Sequence, residues 1–337
     1  ERTREASSNL YKKNNYLVVN HEGMLKTYKD IARQVKHLKV SSFEKPTKLI
    51  NKLDKDNQKV DVVLVDEAHL LLTKPDPFNN FDYRNHLEEL LKRAKVVIVI
   101  FDQDQVLKFK SLWGVAKLEE MKKLSACTEV YPLTKQFRMQ ANDDVVDWIN
   151  NFKSKVLLRI PKDENYKLKI FEKMEEMHKE IIEKNKEFGL SRVVSTFDYL
   201  HRKDGGTYYV NESNGEYKLP WNTTEGNKAW AEKDYTINEV GSIYTIQGFD
   251  LNYVGVVLGP SVQYDTAKNK IVIDTSQYKD IGAYTGTEGI ENINEAKEKI
   301  VLNSINILMK RGIKGLYIYA SDEALRNKLL EYQKAGE

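Results

Sequence analysis

Short apolar runs alternate with helix-patterned stretches along this chain, and that alternation constrains its fold more than any other feature. Tyr16-Leu17-Val18-Val19 has the length and composition of a buried strand. Met24, Leu25, Tyr28, Ile31, Ala32, Val35 and Leu38 then recur at the spacing of one helical face. Pro46 suits the first turn of a second helix, where no amide hydrogen is needed. Residues 60–65 form a run that is apolar on both faces, the pattern of a parallel strand covered by helices on each side. Residues 86–93 are patterned as a helix and 96–101 as another buried strand. This order predicts a parallel, doubly wound α/β sheet, whose ligands lie beyond the carboxyl ends of its strands. Asp66-Glu67 and Asp102-Gln103 each come directly after a strand run, so the pattern places both on that rim.

The alternation resumes after residue 140. Helices are expected over 142–152 and 167–186, and a strand over 192–196. Residues 203–235 are rich in Gly, Asn, Thr, Tyr and Trp and read as an irregular insertion containing a hairpin. Short strands are expected over 240–245 and 253–258, and a hairpin over 263–273 with its tip at 267–269. A long helix over 290–311, a strand over 316–320 and a helix over 322–332 close the pattern. The expected domains are therefore residues 1–140 and 141–337.

Composition narrows the class. With 41% apolar and 31% charged residues, the chain is globular rather than disordered. No apolar run approaches the ~20 residues of a membrane-spanning helix, so no membrane partner is expected. A single cysteine, Cys127, excludes an internal disulfide and points to a reducing, cytoplasmic setting. The six histidines show no metal-ligand spacing. The net charge of +3 decides little, because the lysines between Arg33 and Lys59 cluster locally. That cluster fits a polyanion surface and a solvated helix face equally well.

Five segments carry chemistry. In Asp66-Glu67-Ala68-His69, adjacent carboxylates close a strand. Phosphoryl transfer from ATP needs one carboxylate to hold Mg²⁺ and another group to orient the attacking water. The second segment is Asp102-Gln103-Asp104-Gln105, where a glutamine amide can both donate to and accept from a γ-phosphate. The third is Gln136-Phe137-Arg138-Met139, the fourth Thr245-Ile246-Gln247-Gly248-Phe249-Asp250, and the fifth Met309-Lys310-Arg311-Gly312.

In this order the five segments resemble motifs II to VI of superfamily 1 helicases. More narrowly, residues 240–260 and 306–322 resemble a bacterial helicase-like family related to the Schlafen ATPase domain, which also carries tryptophans where Trp221 and Trp230 stand. The resemblance spans roughly residues 14 to 330. It implies two RecA-like domains of the P-loop NTPase class with ATP between them. Asp66 would hold Mg²⁺, Glu67 would orient water and Gln103 would report the γ-phosphate. Arg138 and Arg311 would act as arginine fingers. Gln136, Gln247, Gly248 and Asp250 would serve the nucleotide, with Asp250 on the ribose. Lys310 departs from the usual threonine of the last motif.

The resemblance also implies a single nucleic-acid strand as partner, with DNA placed ahead of RNA. Asn20-His21 would meet its backbone, with Thr245 nearby. His69, Trp221 and Trp230 are candidates for stacking on bases. A motor of this kind holds its phosphates with a glycine loop ending in Gly-Lys-Ser/Thr, and the chain contains no Gly-Lys dipeptide. It is therefore expected to be part of a longer protein whose upstream portion carries that loop and so is itself a partner, and to be inactive alone. Oligomers are compatible with this reading. Nuclease fusion, DNA processing and antiviral defence rest only on analogy. Two other readings stay open: a non-hydrolysing nucleic-acid-binding scaffold, and a nucleotide-dependent switch that binds protein.

Overall fold

A computed structural model describes residues 12–133, 135–202, 204–223, 229–246 and 248–335. The chain divides into two compact units, Glu1–Pro132 and Leu133–Glu337.

The first unit contains β1 (Asn15–Val19), α1 (Glu22–Gln34), β2 (Phe43–Glu44), α2 (Pro46–Lys55), β3 (Val60–Asp66), α3 (His86–Arg93), β4 (Ala94–Val99) and α4 (Val115–Lys123). Its four strands are parallel in the order β2-β1-β3-β4. One face packs Val18, Val63 and Val65 against Leu49, Ile50 and Leu53 of α2 and Leu87 and Leu90 of α3. On the opposite face Val19 and Phe43 meet Leu25 and Ala32 of α1. Burying each such side chain fully contributes roughly 1.5–3 kcal/mol.

Two expectations for this unit need correction. Helix α1 stops at Gln34, where Val35 turns extended, so Val35 and Leu38 lie beyond it and are exposed. Strand β4 is not buried: Val96 and Ile98 are each 50% exposed. Among the described residues it pairs only with β3, and only its Ala94 and Val97, with Phe101 just beyond it, pack against the core. An apolar run records what a strand is suited to contact. It does not record that the contact lies within the same chain.

The second unit contains α5 (Asp143–Lys153), β5 (Lys167–Ile170), α6 (Met174–Phe188), β6 (Arg192–Ser195), β7 (Tyr209–Asn211), β8 (Lys218–Pro220), β9 (Val240–Gly241), β10 (Leu251–Leu258), β11 (Val262–Asp265), β12 (Lys270–Ile273), α7 (Ile293–Met309), β13 (Gly312–Ala320) and α8 (Glu323–Lys334). Its main sheet has five parallel strands in the order β5-β13-β10-β6-β9. The two expected hairpins are present as β7-β8 and β11-β12. The helix expected over 167–186 is instead a strand and then a helix. Lys167-Leu168-Lys169-Ile170 alternates with period two and pairs with β13, and the helix begins only at Met174. The strand expected over 240–245 stops at Gly241, because the Thr245 hydroxyl binds both the amide and the carbonyl of Ser242 and turns the chain. Helix α7 buries Ile300, Val301, Ile305, Leu308 and Met309, as expected for a helix enclosed on nearly all sides. Gly315 is required by close approach, since a Cβ there would lie 2.4 Å from the Tyr253 ring. Among the described residues no helix is long and apolar enough to cross a membrane.

His86 ties the first unit together and makes it acid-sensitive. The amide of Leu72 donates to its Nδ1 at 3.0 Å, so Nε2 carries the hydrogen and donates to Thr47 Oγ1 at 2.9 Å. Burial drives the imidazole from 6.5 down to about 3, against a smaller opposing pull from Asp76. The unfolded chain takes up this proton first, so the contribution is complete above pH 6.5 and is lost as pH falls toward 3. Urea unfolding between pH 7 and pH 4 should show a loss on the order of 2–4 kcal/mol from this site. His86→Gln should be less stable at pH 7 yet lose less on acidification, and an equal acid loss in both proteins would contradict the assignment.

Candidate functional site

In the first unit, three predicted segments meet on one rim. Asp66 pairs with Val19, and Val65 pairs with Val99, so the ends of β1, β3 and β4 lie side by side. Glu67 adopts a left-handed conformation with φ 47° and ψ 49°. This is uncommon for a residue with a side chain and costs on the order of 1–3 kcal/mol. The turn sends the Ala68 amide back to Ile100 O at 2.8 Å, which fixes the rim directly before Asp102. Asn20 Nδ2 donates to Leu70 O at 2.8 Å and ties the end of β1 to the same turn.

Asp66 has both carboxylate oxygens engaged. The Glu67 amide donates to Oδ1 at 3.0 Å, and the Tyr28 hydroxyl donates to Oδ2. Burial and the Asp66 carboxylate together push the Tyr28 phenol well above its ordinary range, so it remains a donor. Glu67 Oε2 lies 3.2 Å from His69 Nε2. Gln103 opens a short 3-10 turn capped by Asp102, whose carboxylate accepts from the Asp104 amide and from Gln105 Nε2, each at 2.9 Å. His21 caps α1 by accepting from the Met24 amide at 3.2 Å. Burial chiefly lowers its pKa, with Lys45 and Lys108 adding to the effect against Glu22, so it is a neutral imidazole with Nε2–H as its donor.

In the second unit a separate cluster forms at the amino ends of the strands. Leu251 pairs with Gly312, and the Leu251 amide donates to Arg311 O at 3.0 Å, which places Asp250 and Arg311 side by side. The 135–140 loop is braced by Gln136, which accepts from the Met139 amide at 2.8 Å and donates to Met139 O at 3.2 Å. Gln140 N then bonds Ile313 O at 2.8 Å and fastens the loop to β13. Arg138 Nε forms an ion pair with Asp250, and Arg311 Nη1 lies 3.9 Å from the same carboxylate oxygen. Gly248 supplies the positive φ of 85° that the preceding turn requires. Lys310, the departure from the usual threonine, donates to Asn150 Oδ1 of α5 at 2.7 Å. Gln247 lies outside the described residues.

The stacking candidates need correction. Trp221 is 1% exposed, Trp230 4% and His69 1%. Trp221 packs edge-on to Phe197 and Tyr199. Trp230 Nε1 donates to Glu239 Oε2 at 2.9 Å, and its ring covers Gly241, where a Cβ would lie 2.6 Å away. None of the three offers a free ring face. Trp221 packs into the main core of the second unit, Trp230 packs over β9, and His69 turns inward beside Glu67. Tyr28 is the residue that sequence reasoning missed. Its helical spacing marked it as core, and nothing in the spacing reveals a hydroxyl aimed at Asp66.

The two main sheets make this a protein of parallel α/β units. Over residues 2–322 the sequence matches the Schlafen group 3 DNA/RNA helicase domain, and the chain belongs to that family. It is 39% identical, over an alignment of 350 residues, to a protein of Saccharomyces cerevisiae (strain ATCC 204508 / S288c) named "Uncharacterized protein YPL245W". That alignment covers 96% of this chain and 76% of the yeast protein. The crystal structure of arterivirus nonstructural protein 10, a helicase, aligns at a TM-score of 0.31 and 12% identity. The alignment covers 96% of this chain and 62% of that one, so this chain spans less than two thirds of the viral protein. A superposition this loose adds nothing to the family assignment.

Burial of Trp221 makes a direct prediction. Trp221→Ala should destabilise the second unit by about 3–5 kcal/mol, the cost of emptying a large core site. Urea unfolding tracked by the fluorescence of the remaining tryptophans and by circular dichroism measures it, and a loss below about 1 kcal/mol would show that the ring is not core.

Proposed function

We propose that the protein is a nucleic-acid-dependent ATPase of the superfamily 1 type, working as a helicase or translocase. The observation that carries this reading is the shared rim, where Asp66 ends β3 with Glu67 directly after it, Gln103 follows the neighbouring parallel strand β4 by four residues, and the Ala68–Ile100 bond ties the two exits together. Among the described residues no group of three or more His, Cys, Asp or Glu could cage a metal. Mg²⁺ beside a nucleotide needs no cage, because phosphates and waters fill most of its shell. Asp66 fits that role: it is a strand-end carboxylate fixed at both oxygens, each of which still has lone-pair capacity. Bound there, Mg²⁺ would neutralise phosphate charge.

The other roles belong to the chain itself. Glu67 orients the attacking water and takes its proton, with His69 beside its Oε2 to hold the carboxylate in place. Gln103 contacts the γ-phosphate. Arg138 and Arg311 stabilise charge as it develops on the transferring group, an effect worth about 10³–10⁵ in rate for one such arginine. Gln136, Gln247 and Gly248 serve the nucleotide. Asn20, His21 and Thr245 meet the phosphate backbone of a single strand, DNA ahead of RNA, with the neutral His21 donating through Nε2. The setting is cytoplasmic.

A phosphate-cradling glycine loop is needed as well, and we assign it to a further segment of the same protein. Support for this comes from β4, which among the described residues pairs only with β3 and leaves Val96, Ile98, Val99 and the following Ile100 exposed. A further parallel strand pairing there would deliver its own carboxyl-end loop to that rim.

The test uses the full-length protein with single-stranded oligonucleotides. Strand addition should raise ATP turnover. Glu67→Gln should reduce turnover at least about 100-fold while leaving triphosphate binding within a few-fold, as expected for a group used only in the transition state. Turnover unchanged in Glu67→Gln would overturn the catalytic assignment.

A further inference from the structure

Asp250 is the acidic end of a segment expected to touch the ribose, yet its carboxylate is engaged elsewhere. It pairs with Arg138 Nε and lies 3.9 Å from Arg311 Nη1. The arrangement is built by the sheet. The Leu251–Gly312 pairing sets Asp250 beside Arg311, and the Gln140–Ile313 bond holds the Arg138 loop against the same strand. The two guanidiniums differ in freedom. The Arg311 side chain is 5% exposed and its Nη1 also donates to Phe249 O at 3.3 Å. The Arg138 side chain is 42% exposed, and the Asp250 side chain is 44% exposed.

We propose that Asp250 is a positioning residue that gathers Arg138 beside Arg311, so that both cations are in place before a triphosphate arrives. This rests on the ATPase reading above and goes further, because it gives Asp250 a role through the arginines rather than through the nucleotide sugar. Two like charges held close together repel unless an anion lies between them. Arg311 is fixed by burial, so removing the carboxylate mainly releases Arg138 into solvent rotamers. Charge stabilisation at a reacting group is strongest when the donors are already placed and do not reorganise during the reaction. The same carboxylate also repels the incoming phosphates. Removing its charge therefore leaves triphosphate affinity unchanged or improved while the chemical step slows. A residue that bound the ribose would do the reverse.

The test is Asp250→Asn in the full-length protein, with steady-state turnover of ATP and of 3′-deoxy-ATP and 2′-deoxy-ATP. We expect kcat to fall about tenfold or more, KM to stay equal or drop, and the same fall with all three nucleotides. On an Arg138→Ala background the added Asp250→Asn change should cost no more than about twofold, because Arg311 keeps its other restraints. A rise in KM at constant kcat, or a penalty that disappears with either deoxynucleotide, would overturn the proposal, as would full losses multiplying in the double variant. If the wild-type protein shows no turnover with any strand, the ATPase reading fails separately. The pairing itself is then read from ¹⁵N-arginine spectra. Asp250→Asn should speed solvent exchange of the Arg138 Nε–H markedly, and an unchanged exchange rate would overturn the positioning role.

Discussion

The structure of the first unit depends on one constraint: β3 is held in parallel register between β1 and β4. Val65 pairs with Val18 on one side and Val99 on the other, so three chain reversals occur at the same height. The chain leaves parallel strands at a common end, and the loops that leave them collect there. The left-handed turn at Glu67 is the local cost of keeping this rim compact, and the Ala68–Ile100 bond offsets it. Asn20, Asp66, Glu67 and Gln103 are separated by as many as 83 positions in the chain, and the register sets the ends of their strands side by side.

The second unit uses its sheet from the opposite end. Its charged cluster lies where β10 and β13 begin, because the segments before those strands carry Asp250 and Arg311. Pairing of Leu251 with Gly312 does for these residues what pairing of Val65 with Val99 does for the acids. The glycines at 312 and 315 permit the tight approach at this point, where the β10–β13 register shifts. Acidic groups are thus set by strand ends in one unit and basic groups by strand starts in the other. In both cases backbone pairing, rather than side-chain contacts alone, fixes which charges are neighbours.

Much of this is legible in the sequence where burial and periodicity agree. The strand at residues 60–65, the helix over 86–93, both hairpins and the long helix after residue 290 are read correctly because each element's pattern matches its surroundings. Sequence patterns fail where they underdetermine a partner. The strand at residues 94–99 is apolar, but apolarity does not name the surface that covers it. Lysines at 167 and 169 fit a solvated helix as well as an edge strand, and only pairing with β13 decides. Trp221 and Trp230 have the composition of a stacking platform and of core residues alike, and only their packing decides, Trp221 against Phe197 and Trp230 over Gly241. Tyr28 and the shared carboxylate of Asp250 are invisible for a different reason. Each joins residues far apart in sequence, and no local spacing encodes such a contact.

The central claim is that Asp66 ends its strand as the metal-holding carboxylate of a phosphate-hydrolysing rim. A change of ligand softness tests it most directly, because thiolates select soft metals and disfavour magnesium. In the full-length protein with a single strand present, the account predicts that Asp66→Cys abolishes magnesium-supported ATP turnover and that cadmium restores a measurable part of it. Magnesium-supported turnover at the wild-type level in Asp66→Cys would contradict the account.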